Sequence, residues 1–226
     1  MISFSRSTTY YTLVGSLPAL PGHFEQAERM PISALRLRSR LKMLEPDDAT
    51  VVEEITEFLA WERQPLELTD KDVGERYDRF MRTIPDPFAL SLIEQVMTIR
   101  TIIAGLRCRR LEQEFSLSSP PVAGQIARNW SHPDFRLGGR FPWILEVDAL
   151  LTSDAPFELE RKILDIAWTY VSRLAERFHF TFEAVVLYLM RWEILYRWIQ
   201  RDAAAGQAKF DRLVAEAMGE YAELFD

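Results

Sequence analysis

The side chains with most chemical reach in this sequence are three histidines, one cysteine and an adjacent pair of aspartates: His23, His132, His179, Cys108 and Asp47–Asp48. The sharpest spacing is Glu176-x-x-His179, the i,i+3 pair with which helical bundles hold a di-iron centre. Such a centre needs a second Glu-x-x-His, and neither His23 nor His132 has a glutamate three residues before it. At a helix C-terminus His179 instead meets the negative end of the helix dipole. Asp47–Asp48 has the look of an aspartate-rich motif for magnesium diphosphates. It stands alone directly after Pro46, where two acids complement the positive end of a helix. Cys108 lies in "LRCRRLE", and neighbouring arginines lower a thiol pKa. It has no histidine nearby in the chain, and a lone helical cysteine packs as a small apolar residue. Gly138–Gly139 lacks the spacing and the following Lys-Ser/Thr of a phosphate loop. HExxH, GxSxG and paired CxxC do not occur. The expectation is a chain without catalytic residues, cofactor or metal, and therefore not an enzyme.

The elements that would carry these residues are helical. The 226 residues are 48% apolar and 27% charged, the balance of a globular chain with a proper core. A net charge of −7 sets the molecule as a whole against phosphate backbones and anionic lipid surfaces. Two basic clusters run counter to it: Arg36, Arg38, Arg40 and Lys42, and Arg107, Arg109 and Arg110. Without a groove-reading motif they read as solvated helix faces, or as docking faces for an acidic partner, rather than as nucleic-acid contacts. A single cysteine fits a reducing cytoplasm. The N-terminal twenty residues hold no apolar run long enough for a signal peptide.

Helix punctuation recurs along the chain. Ser33 opens "SALRLRSRLKML", Pro46 opens "DDATVVEEITEFLAWE", and Thr69 with Asp72 forms a capping box. Asp86–Pro87 opens a long helix to about residue 115, Ser119–Pro120 another to about 130, Asp154 one to about 178, and Thr181 one to about 204. A last helix follows Gly206. "TTYYTLVGSLPALPGH", 8–23, reads as a short strand or extended arm. "SHPDFRLGGRFPW", 131–143, reads as a linker, so the chain divides into helical lobes 1–130 and 131–226 that also suit packing as one domain. "EAVVLYLMRWEILYRWIQ", 183–200, is long and apolar, but it holds four ionisable groups, each costing roughly 3 kcal/mol at a bilayer centre. It reads as a buried helix. The fold class expected is all-α, a multi-helix bundle with long antiparallel helices.

"YYTLVGSLPALP", "DFRLGGRFPWILEVD", "ERKILDIAWTYV" and "FTFEAVVLYLMRWEILYRW", in that order, resemble a family of small bacterial proteins encoded with V/A-type ATPases. That family is presumed to stand in for the socket of the rotor, the C (d) subunit. "EQVMTIRTIIAGLRCRRLE" is similar to the long helix of the C (d) subunit that ends in a basic turn. The resemblance implies a non-catalytic central-stalk (rotor) subunit that links the axle subunits D and F to the membrane rotor ring. It would be cytoplasmic and peripheral on the cytoplasmic face of the inner membrane. The C (d) subunit proper is longer and three-lobed, and no threefold repeat is legible here. The alternatives are a helical adaptor or assembly factor binding other proteins, and a helical-bundle enzyme with an unrecognised carboxylate site.

Two geometric expectations follow. Helices 155–178 and 182–204 should form an antiparallel hairpin in which facing residue numbers total about 360, each covering the other's apolar face. Trp168 then lies near Trp192, and Leu174 near Val186. Arg191 falls on the apolar side of its helix and needs either a carboxylate, for which Asp148 and Glu146 are the candidates, or a path for its guanidinium out to solvent. Arg107, Arg109 and Arg110 are candidates either for partner contact or for neutralising their own helix end.

Overall fold

The computed structural model describes residues 10–59, 70–117, 119–153 and 155–201. These form an all-α fold: α1 (Tyr11–Ser16), α2 (Ala34–Leu41), α3 (Pro46–Leu59), α4 (Asp70–Thr83), α5 (Pro87–Arg110), α6 (Val122–Arg128), α7 (Ile144–Thr152), α8 (Pro156–Ala175) and a ninth helix, α9, over 182–201. One 3-10 turn, Phe24–Gln26, precedes α2, and no strand occurs among the described residues.

The long helix α5 organises the rest. Asp86 caps it, its side chain accepting from the Ala89 N–H at 2.7 Å, and Pro87 supplies the fixed φ that suits a first turn. Its N-terminal half gives Phe88, Leu92, Ile93 and Met97 to a core shared with Val51 and Ile55 of α3, Phe80 of α4 and Val185 and Val186 of α9. Its C-terminal half gives Ile99, Ile102, Ile103 and Leu106 to a second core with Ile126 of α6 and Ile144, Val147 and Leu151 of α7. By length and composition α5 is apolar enough to cross a membrane, yet 61% of that stretch is buried in the protein, because both cores draw on it. The helix ends at Arg110 rather than near 115. Glu112 adopts φ 53°, the Glu112 N–H donates to the Arg109 carbonyl and the Gln113 N–H to the Cys108 carbonyl. This is a Schellman ending with a glutamate where glycine is usual, so no residue signal marks it.

α8 and α9 form the expected antiparallel hairpin. Arg197 of α9 donates to Glu160 of α8 at 3.2 Å, and Arg201 lies over the Phe157 ring, in keeping with that register. Val171 and Val186 share one core, against which Leu174 packs. The two tryptophans part company. Trp168 packs with Leu195 and Trp198, whereas Trp192 packs with Ile32, Leu37 and Tyr188. The cause is a third layer: the segment between α1 and α2 straps across the hairpin. Phe24, fully buried, sits edge-on to both Trp168 and Trp198. Trp168 Nε1 donates to the Gly22 carbonyl, the Tyr188 hydroxyl to Pro18 and Trp192 Nε1 to Ile32.

The N-terminal region departs from the strand reading. Residues 11–16 are helical, with Leu13 buried in the first core, and beyond them the chain is extended at Leu17 and again at His23; residues 8 and 9 of the expected arm lie outside the described residues. Core packing of Leu13 outweighs the β preference of the aromatic and branched residues around it. The segment 131–143, read as a linker, is packed. Phe135, Leu137 and Phe141 are buried in the second core, which joins residues on both sides of the supposed boundary. Ala155 holds the N-cap position of α8 without a side-chain cap bond, so Pro156 makes the start. Asp154, Thr69 and the helix expected after Gly206 lie outside the described residues. Thr181 precedes α9, but its buried hydroxyl has no hydrogen-bond partner and does not cap it.

Candidate functional site

Each residue singled out by its chemistry has a structural placement. Asp47 and Asp48 lie in the first turn of α3, and Asp48 is turned inward, accepting from the Tyr10 hydroxyl at 2.5 Å. That bond ties α1 to α3, a role with no sequence signal. Glu176 and His179 are exposed after the end of α8, and among the described residues no group of three or more His, Cys, Asp or Glu is placed to hold a metal. Cys108 is half-buried and forms no disulfide.

The second basic cluster divides. Arg107 and Arg110 are exposed. Arg109 is turned into the fold, where it donates to the His132 carbonyl at 3.0 Å and the Pro133 carbonyl at 2.9 Å. It also stacks over Phe135 and pairs with Asp148 at 3.3 Å. Arg109 is thus a bolt between α5, the 131–143 loop and α7, and its contacts leave it unsuited to a partner. The same bolt overturns the expected Arg191–Asp148 pair. Asp148 belongs to Arg109, and Glu146 belongs to Lys162 at 2.6 Å. Arg191 is half-buried with its Nε unpartnered, and burial pushes its guanidinium below the usual range, partly offset by Tyr188. Long side chains reach solvent past an apolar face, and sequence alone does not say which neighbour a carboxylate prefers.

The 131–143 loop holds a tight anion. Burial would raise the Asp134 carboxyl, but the Arg136 N–H, His132 at 2.5 Å and the Gly138 N–H together hold it below the usual carboxylate range. Phe135 and Arg136 both take left-handed φ to make the turn. A Cβ on Gly138 would collide with the Asp134 carboxylate, so this glycine provides close approach rather than flexibility.

One groove, of about 340 Å³, gathers titratable groups from three elements: the strap (His23, Glu25), α7 (Glu146) and α8 (Glu158, Arg161, Lys162, Asp165). His23 Nε2 lies 3.2 Å from Asp165, Lys162 reaches both Glu146 and Asp165, and Arg161 reaches Glu25 at 3.3 Å. His23 also caps the 3-10 turn reciprocally with Gln26. A His–Asp pair orients an imidazole for proton transfer when a nucleophile stands on its other side. Here that side, Nδ1, faces Glu25. The arrangement therefore acts as a latch between strap and α8, with cation and anion matched across it. The sequence hint was weak: His23 follows the "PALPG" break, and only the fold brings it to Asp165.

The sequence model of a family described as "Protein of unknown function (DUF2764)" matches residues 48–220. No curated protein and no solved structure matches the chain.

Proposed function

The chain belongs to the DUF2764 family, and on that premise we propose that it is a non-catalytic coupling subunit in the central stalk of a bacterial V/A-type ATPase. It would join the axle subunits D and F to the membrane rotor ring from the cytoplasmic face of the inner membrane. The observation that carries this reading is α5. A coupler must pass torque without bending, and one continuous helix of 24 residues, about 36 Å long, is gripped along its length by two cores. Arg109 bolts its far end to α7, and the strapped α8–α9 hairpin braces its near end. The aromatic stretches that carry the resemblance to the ATPase-linked family contribute to this: Phe182 shares the first core with α5, and Trp168 and Trp192 pack the hairpin against the strap and α2. The exposed Arg107 and Arg110 are the remaining candidates for contact with acidic loops of the ring, an attraction that salt would weaken.

The test is affinity isolation of the tagged protein from native membranes. Recovery of rotor and catalytic-head subunits in fixed proportion supports the proposal. A tagged protein that stays soluble and alone, in cells with a working V/A-type ATPase, overturns it. Recovery of defined proteins other than ATPase subunits would select the adaptor reading instead.

A further inference from the structure

Charge is unevenly distributed in this molecule. Residues 29–44 contain five cations and no acid, while the chain as a whole carries −7, so everything else carries −12. The basic stretch centres on α2, which is capped by Ser33 and held to the fold by Leu37, buried, and Leu41, partly buried. The rest of its surface faces outward in an ordered way. Leu35, Ser39 and Met43, four residues apart, form an outer ridge, with Leu35 79% and Met43 38% exposed. Arg36 and Arg40 run along one flank of that ridge and Arg38 and Lys42 along the other; all four are exposed. None of the four forms an ion pair with another described residue. Some arginines elsewhere in the fold are committed, Arg109 to Asp148, Arg161 to Glu25 and Arg197 to Glu160, while others, Arg107 and Arg110 among them, are exposed. What sets the four cations of α2 and its C-cap apart is that they share one short stretch with two exposed apolar side chains and no acid.

We propose that α2 is a membrane-surface contact, seating the protein on an anionic lipid leaflet with Leu35 and Met43 inserted and the four cations among the headgroups. Two apolar side chains between cationic rows match the interface of such a leaflet, where apolar atoms enter the acyl boundary and long basic side chains reach back to the phosphates. Each cation near an anionic leaflet contributes roughly fivefold in partitioning. The −12 on the rest of the molecule is repelled by the same surface, which orients the protein with α2 foremost. An acidic protein partner is the competing occupant, and the shape disfavours it. A stable protein interface buries about 800 Å² per partner, more than one convex eight-residue helix presents. The proposal does not rest on the stalk reading, because the probe contains no ATPase subunit.

The experiment is co-sedimentation of the purified full chain with phosphatidylcholine vesicles, with and without about one-third phosphatidylglycerol, at about 50 mM and about 500 mM salt. The expected result is binding to the anionic vesicles alone, released by salt. Joint replacement Arg36→Gln, Arg38→Gln, Arg40→Gln and Lys42→Gln should weaken it by at least about fiftyfold, and Leu35→Ala by about tenfold. Since none of these five side chains is buried, circular dichroism and the thermal midpoint should match the parent protein and separate lost binding from lost fold. Equal binding to neutral vesicles, no binding to anionic ones, or unchanged binding by the variants would overturn the proposal. So would capture on immobilised poly-glutamate in preference to vesicles, which would transfer the face to an acidic protein.

Discussion

Arg109 and Arg191 show how little an arginine's position in the sequence reveals about its work. Arg109 sits in a run of exposed-looking basic residues and makes two carbonyl hydrogen bonds, an ion pair and a ring contact. Arg191 sits in an apolar helix, where a buried charge demands a partner, and its Nε has none. Opposite outcomes follow for truncation. Arg109→Ala should lower unfolding free energy by about 1–2 kcal/mol in urea titrations, because two carbonyls and Asp148 lose their donor. Arg191→Met should leave the midpoint unchanged or raise it, since desolvation of an unpaired Nε disappears while the packing stem stays. A fall of more than about 1 kcal/mol would mean that Arg191 has an unseen anion. Asp134 makes a pH prediction of definite sign. Its folded pKa lies below the ordinary 3.8, so its contribution is complete above that value and is lost as the pH falls through the lower folded one. Between about pH 5 and about pH 3, the urea midpoint of the parent protein should fall more steeply than that of Asp134→Asn.

At the scale of elements, most starts were legible and most stops were not. Ser33, Asp86 and Pro87 announce their helices because capping chemistry is local, and they behave as read. The end of α5 was invisible because Glu112 takes a glycine's backbone conformation. Glu112→Gly should therefore stabilise the protein by about 1 kcal/mol, seen as a higher thermal midpoint. The Gly138–Gly139 pair misled for a related reason: two adjacent glycines look like freedom, yet they differ in what surrounds them. Gly138→Ala should cost about 1–3 kcal/mol by driving a Cβ into Asp134, whereas Gly139→Ala, with nothing near, should be neutral or slightly stabilising. The hairpin register was readable from two apolar faces. The tryptophan pairing was not, because the strap carrying Phe24 comes from more than a hundred residues away and no periodicity encodes its arrival.

For the molecule as a whole, helix punctuation already pointed to an all-α fold, and the candidate groove was almost silent. His23, Glu25, Glu146 and Asp165 belong to three separate stretches, none with a motif, and only packing gathers them. The two-lobe reading meets the shared helix. α5 precedes the supposed boundary, while Phe135, Leu137, Ile144 and Leu151, which cover its second half, follow it. Fragments 1–130 and 131–226 expressed separately should each fail to give cooperative thermal unfolding, and co-expression should restore it. Two fragments that melt independently would show real lobes. The same feature bears on synthesis. As the chain leaves the ribosome, the first half of α5 meets α3 and α4 early. Ile102, Ile103 and Leu106 then wait, bare, until the tight loop around Asp134 and the whole of α7 have emerged. During that interval the nascent protein is a half-built core with an oily flank, the kind of surface that chaperones shield. A chain that has emerged from the ribosome only as far as residue 130 would be at its most adhesive moment.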